Sequence, residues 1–80
     1  MKKMAVVYYK NGELRRFTVL AASPLEAAQR VSYLMFVGNP DWDGACKVLD
    51  GSQVKIFQVC GPYPEHVYEG LPWYELFEDA

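Results

Sequence analysis

Apolar and polar positions change period several times along the chain, and those changes outline the elements. Residues 4–10 are β-branched and aromatic and end on Lys10, as a strand would. Asn11-Gly12 follows, the pair that suits a two-residue type I′ turn because both central residues take positive φ. Residues 13–21 then form the returning strand. A two-residue loop sets the register: Lys10 faces Glu13, Tyr8 faces Arg15, Val6 faces Phe17 and Met4 faces Val19. Met4, Val6, Tyr8, Arg15, Phe17, Val19 and Ala21 therefore share one face. Ala5, Val7, Tyr9, Leu14, Arg16, Thr18 and Leu20 share the other. Both faces are largely apolar, so the hairpin needs a cover on each side.

The period then lengthens. Ser23-Pro24-Leu25-Glu26 has the form of a capping box, with Ser23 as cap, Pro24 in the first turn and Glu26 reaching back. Leu25, Ala28, Val31, Leu34 and Met35 recur at helical spacing, while Glu26, Gln29 and Arg30 mark the polar side. Gly38 and Asn39-Pro40 stop the helix. This helix is expected on the first face of the hairpin. Residues 39–44 form a loop. Residues 45–49 and 52–60 read as a second hairpin closed by Asp50-Gly51, with a wider loop through Ser52 as the variant. Gly61-Pro62 and Gly70-Leu71-Pro72 break the pattern, and residues 73–79 read as a helical turn or two. The fold class predicted is α+β: an antiparallel sheet of two hairpins with one helix on one face, ββαββ. A short tail over residues 62–80 packs on this single domain or extends from it.

Composition narrows the class. Eighty residues suit one domain with a thin core. Six Tyr, four Phe and two Trp compensate, since each ring buries a large area. No run approaches the about 18 apolar residues of a membrane span. The basic, apolar start is too short for a leader and is interrupted by Lys10 and Asn11. A cytosolic protein with no membrane partner is expected. The formal charge is −2, yet residues 1–38 carry six basic and two acidic side chains, and residues 39–80 carry two and eight. Such asymmetry suggests directed electrostatics, unless folding mixes the halves.

Catalytic chemistry finds no convergent set. His66 is the single histidine and sits in a loop pattern, where exposure or packing is its ordinary fate. Cys46 and Cys60 match no zinc or redox spacing and read as reduced, mostly buried thiols. Asp41-Trp42-Asp43-Gly44 opens like a calcium loop but lacks the later ligands. No cofactor, metal or small-molecule substrate is expected, and the chain is not expected to be an enzyme.

Two binding surfaces suggest themselves. The first is acidic and aromatic: Asp41, Asp43, Glu65, Tyr68, Glu69, Trp73, Tyr74, Glu75 and Glu78. Tyr and Trp anchor protein interfaces, and carboxylates around them would steer toward a basic partner. The plainer reading is that the rings close the sheet and the carboxylates keep it soluble. The second is basic and aromatic: Tyr8, Tyr9, Lys10, Arg15 and Arg16 could bind single-stranded nucleic acid by stacking and charge. The sequence pI of about 5.2 counts against that use. Oligomerisation through an uncovered sheet face, as a homodimer, is a further alternative; a monomer or weak homodimer is expected.

The stretch at residues 16–31, RFTVLAASPLEAAQRV, leads a hairpin strand through small residues into a capped, alanine-rich helix, before a second hairpin. This layout resembles that of compact anti-CRISPR proteins of phages and mobile elements. The resemblance covers residues 4–60 as an architecture. It implies a stoichiometric inhibitor in the host bacterial cytosol that binds a CRISPR surveillance complex or nuclease and blocks target DNA binding or cleavage. It assigns no individual residue a role.

Overall fold

The structure is a computed structural model, and it describes residues 1–59, Gly61 and the backbone of Phe77 and Glu78. Strand β1 (Lys2–Lys10) and strand β2 (Glu13–Ala21) pair in the expected register, from Lys10 opposite Glu13 to Lys2 opposite Ala21. Asn11 takes a φ of 53°, as the type I′ turn requires. Helix α1 (Pro24–Gly38) then carries the chain back along the sheet. The next strand, β3 (Ala45–Asp50), consequently runs parallel to β2 and antiparallel to β1, and it takes the free side of β1. Strand β4 (Gln53–Gln58) closes a second antiparallel hairpin. The two hairpins give the sheet order β4-β3-β1-β2, with the helix on one face. The fold is the α+β arrangement read from the pattern.

Two details differ. The second hairpin turns on Gly51-Ser52, with Asp50 already paired to Gln53. Gly51 has a φ of 60° and Ser52 does not, which fits glycine at the first central position of a type II′ turn. Moving the loop by one residue moves each β3 partner by two along β4. Lys47 thus faces Ile56 instead of Val54. A shift of two leaves every side chain on its expected face. At the other edge of the sheet, Phe77 and Glu78 form a two-residue strand, β5, paired with Thr18 and Phe17 of β2. The helical turn expected over residues 73–79 is therefore not formed at these two positions; the unpaired outer edge of β2 gives their backbone a hydrogen-bonded alternative.

The core lies between helix and sheet. Met4, Val6, Tyr8, Val19 and Ala21 from the first hairpin, and Cys46 and Val48 from β3, meet Ala27, Ala28, Val31 and Met35 of α1. Phe17, Leu34, Trp42 and Phe57 close its margins. The Tyr8 ring stacks on Phe17 at 5.7 Å, and Trp42 meets Tyr8 and Phe36 edge-on. Opposite β1, the short loop into β3 is held by Gly44. Its carbonyl accepts the Val59 N–H at 2.8 Å. A Cβ built on Gly44 would lie 2.3 Å from the Val59 carbonyl oxygen, and its φ is 80°, so both space and conformation require glycine.

The helix is rotated relative to the expected apolar stripe. Leu25 is exposed, whereas Glu26 and Arg30, assigned to the polar side, are buried. The reason is local pairing. Ser23 Oγ accepts the Glu26 N–H at 3.2 Å, as a cap should. The Glu26 carboxylate accepts the Ala22 N–H and also the Arg30 Nη2–H at 3.0 Å. Lying in the first helical turn, this carboxylate also benefits from the helix dipole. Its charge and that of Arg30 are compensated within one turn, so both stems can lie inside while Ala27 and Ala28 approach the sheet.

Candidate functional site

Strand alternation dictates what the helix leaves behind. Every residue between two core positions points to the opposite face. The rows there run Val54–Leu49–Ala5–Thr18 and Ile56–Lys47–Val7–Arg16, with the pairs Gln58–Ala45 and Tyr9–Leu14 beyond them and Lys3 beside Leu20. No described element packs on this face. Tyr9, Leu14, Val54 and Ile56 expose 63%, 62%, 55% and 76% of their surface. Single exposed apolar residues are ordinary, but four large ones on one face of one sheet form a patch. A shallow depression of about 310 Å³ lies among Val7, Tyr9, Leu14, Ala45, Lys47 and Ile56.

Charge is segregated by face. The open face carries Lys3, Arg16 and Lys47, and no Asp or Glu among its described positions. The described carboxylates lie elsewhere: Glu13 and Asp50 point to the helix side at the strand ends, Glu26 is on the helix, and Asp41 and Asp43 are in the loop after it. Lys2 and Asp50 form an ion pair at 3.0 Å, which joins the basic first half of the chain to the acidic second half.

The expected site residues distribute as follows. Asp41 and Asp43 are exposed and flank Trp42, but this trio is partly structural. Trp42 Nε1–H donates to the Tyr9 carbonyl at 2.8 Å, and Asp43 Oδ1 accepts the Ala45 N–H at 3.0 Å. A second concavity, of about 470 Å³, separates this loop from the Asn11-Gly12 turn. The positions Glu65, Tyr68, Glu69, Trp73, Tyr74 and Glu75 lie outside the described residues, as do His66 and Cys60. Of Glu78, the structure places only the backbone, against Phe17.

The basic set Tyr8, Tyr9, Lys10, Arg15 and Arg16 is not gathered on one surface. Tyr8 is a core residue, and Lys10 and Arg15 point to the helix side with it. Tyr9 and Arg16 point to the open face. Adjacent residues of a strand diverge by its two-residue period, so the two Tyr and the two Arg are each split. The open face joins Tyr9 and Arg16 to Leu14, already placed on it by the hairpin register, and draws in Lys47, Val54 and Ile56, which sequence inspection did not single out. The signal for Lys47 was available: in Ala45-Cys46-Lys47-Val48 it alternates with two core residues.

The described side chains of this face are apolar, basic or neutral polar. Cys46, a potential nucleophile, is buried on the other side of the sheet, and burial pushes its thiol from 9.0 up to about 11 against a weaker opposing pull from the Ser32 hydroxyl. It stays protonated near neutral pH. Among the described residues, no three of His, Cys, Asp and Glu are placed to hold a metal ion, and no helix is long and apolar enough to cross a membrane. Comparison with protein families, curated proteins and solved structures finds no match for this chain.

Proposed function

We propose that this protein is a stoichiometric inhibitor of the anti-CRISPR type, which occupies a DNA-targeting surveillance complex or nuclease in the host cytosol and prevents target DNA from being bound or cut. The reading is supported above all by the open face: a small domain completes its core on one side of the sheet and leaves Tyr9, Leu14, Val54 and Ile56 in solvent on the other. Such a patch has the character of an interface. The partner class rests on the resemblance of the ββαββ layout to that of compact inhibitors of this type. The test is co-purification of the full chain with surveillance complexes and nucleases, coupled to a DNA-cleavage assay. Capture at one-to-one stoichiometry with loss of cleavage is the expected result. Undiminished cleavage and no capture at low salt would remove the reading.

A second reading, a single-stranded nucleic-acid module, is favoured by one observation: Tyr9 shares its face with Lys3, Arg16 and Lys47. Fluorescence titration with single-stranded DNA and RNA separates the two. Tight binding that weakens steeply with salt would favour the nucleic-acid module.

A further inference from the structure

We propose that a second copy of this chain adds to the sheet edge-on, by antiparallel pairing of β4 with β4 of that copy about a two-fold axis at Ile56. The inference does not depend on the inhibitor reading and concerns a different surface, the backbone edge of the sheet.

The two edges of the sheet are unequal. On the β2 side, Phe77 and Glu78 already occupy part of the edge. On the β4 side, no described residue pairs with the outer edge of Gln53–Gln58. The helix lies mainly over β1, β2 and β3 and leaves that edge open. Alternation along the ladder fixes which backbone groups point outward. Just past the strand, the Val59 N–H donates to the Gly44 carbonyl at 2.8 Å, so odd-numbered residues bond toward β3. Val54, Ile56 and Gln58 therefore direct their N–H and C=O groups away from the sheet. A row of this kind is a template for another strand. β4 contains no proline, and its pairing with β3 runs without a bulge from Gln53 to Gln58.

The sequence of β4 fits a copy of itself in one register. A two-fold axis normal to the sheet keeps the faces matched, so each residue stands opposite one of its own face. Centring on Ile56 sets Ile56 opposite Ile56 of the second copy, Val54 opposite its Gln58 and Lys55 opposite its Phe57. Every outward N–H and C=O of Val54, Ile56 and Gln58 is then paired. The exposed Val54 and Ile56 side chains of the two copies join into one apolar strip. On the helix side, Lys55 meets a half-buried Phe57 ring, which suits a cation. Centring on Lys55 would instead set two like charges directly opposite, a destabilising pair. Centring on Val54 or Phe57 would carry an outward residue past the end of the facing strand.

The pairing also closes. It uses the free edge of both copies and stops at a dimer, whereas β4 laid against β2 of another copy would meet β5. Six residues a side compare with the roughly 20–30 of a standard interface, so the dimer is weak and forms with concentration.

The test follows the full chain over a concentration series by sedimentation equilibrium and NMR-detected hydrogen exchange. The mass is expected to rise from monomer toward dimer. Amide exchange at Val54, Ile56 and Gln58 should slow as it does, while Lys55 and Phe57, already bonded to β3, keep their rates. A mixture of labelled and unlabelled chains should show an intermolecular contact between the Hα atoms of Lys55 and Phe57, which face each other in the closer type of pair. Ile56→Pro removes the donor at the axis. Proline is tolerated on an edge strand where its missing N–H would face solvent, so the monomer should keep its fold and the dimer should be lost. Ile56→Lys sets like charges across the axis and should weaken the dimer roughly tenfold or more. Urea curves at low concentration check that each variant is folded. A monomer at every concentration, larger assemblies in place of a dimer, or association undiminished in folded Ile56→Lys would each overturn the proposal. So would unchanged exchange at Val54, Ile56 and Gln58 in the dimer, or an intermolecular contact from Lys55 to Lys55.

Discussion

The two faces of the central hairpin come from the same eighteen residues of β1 and β2 and are similarly apolar, yet they have opposite fates. Met4, Val6 and Val19 are buried completely, while Tyr9 and Leu14 stand in solvent. Strand hydrophobicity does not explain the difference. The placing of charge does. On the helix side Val6, in the middle of β1, is flanked by the uncharged Phe17 and Val48, and the strand charges lie at the strand ends, at Arg15 beside Tyr8 and at Lys55 on the edge strand β4. On the open side Arg16 and Lys47 flank Val7 in the middle. A fifteen-residue helix covers the face that has no central charge. No described element covers the face with Arg16 and Lys47 in its middle rows.

The cover itself gives the largest way to break this contrast. Glu26→Ala removes the carboxylate that holds Arg30 and the Ala22 N–H beneath the helix. Taking one partner from a buried ion pair costs about 3–5 kcal/mol. The expected outcome in urea is a midpoint lowered accordingly. A change below 1 kcal/mol would mean that Glu26 is not needed to hold the helix on its face. Next comes a matched truncation on the two faces. Met4→Ala should cost about 2–5 kcal/mol, because the residue is 1% exposed and the packed core closes incompletely over the gap. Ile56→Ala, at 76% exposure, should stay within about 0.5 kcal/mol. Equal losses at the two sites would show that the open face is covered in solution.

A third test uses pH. Burial raises the Cys46 thiol from 9.0 to about 11, which means that the folded state holds this proton more tightly than the unfolded chain. The resulting stabilisation is fully present below pH 9 and is lost as pH rises through 11. Two pKa units correspond to about 2–3 kcal/mol. Unfolding curves of the wild type and Cys46→Ala, compared from pH 8 to about 11, isolate this contribution from other alkaline titrations. A constant difference between the two proteins would contradict a core position for the thiol.

These contrasts also explain what could be read from the chain. The first hairpin was legible to the residue because Asn11-Gly12 permits one loop length and hence one register. The second was legible by face but not by pairing, since Asp50-Gly51 and Gly51-Ser52 are both turn signals that differ by an even shift of partners. Glu26 and Arg30 were misassigned because an i,i+4 ion pair has the same pattern whether solvated or buried. The candidate surface was half legible. Two apolar faces and one helix announce a face that the helix does not cover, but grouping Tyr8 with Tyr9 and Arg15 with Arg16 follows the chain instead of the pleat. Lys47 was overlooked because it lies in the acidic half, and the register places it beside Val7.

The smallest expected effect bears most directly on the open face. Leu14→Ser combined with Ile56→Ser removes two of its four most exposed apolar side chains without touching the core. Each change should alter stability by no more than about 0.5 kcal/mol, since neither side chain is withdrawn from water on folding to a degree that matters. Dye binding that reports exposed apolar surface should fall, and solubility should rise. A domain that only needed these residues to fold would respond the other way, with a lowered urea midpoint and more dye bound. The double variant therefore separates residues that are apolar for the fold from residues that are apolar for a partner, and it does so before any partner is in hand.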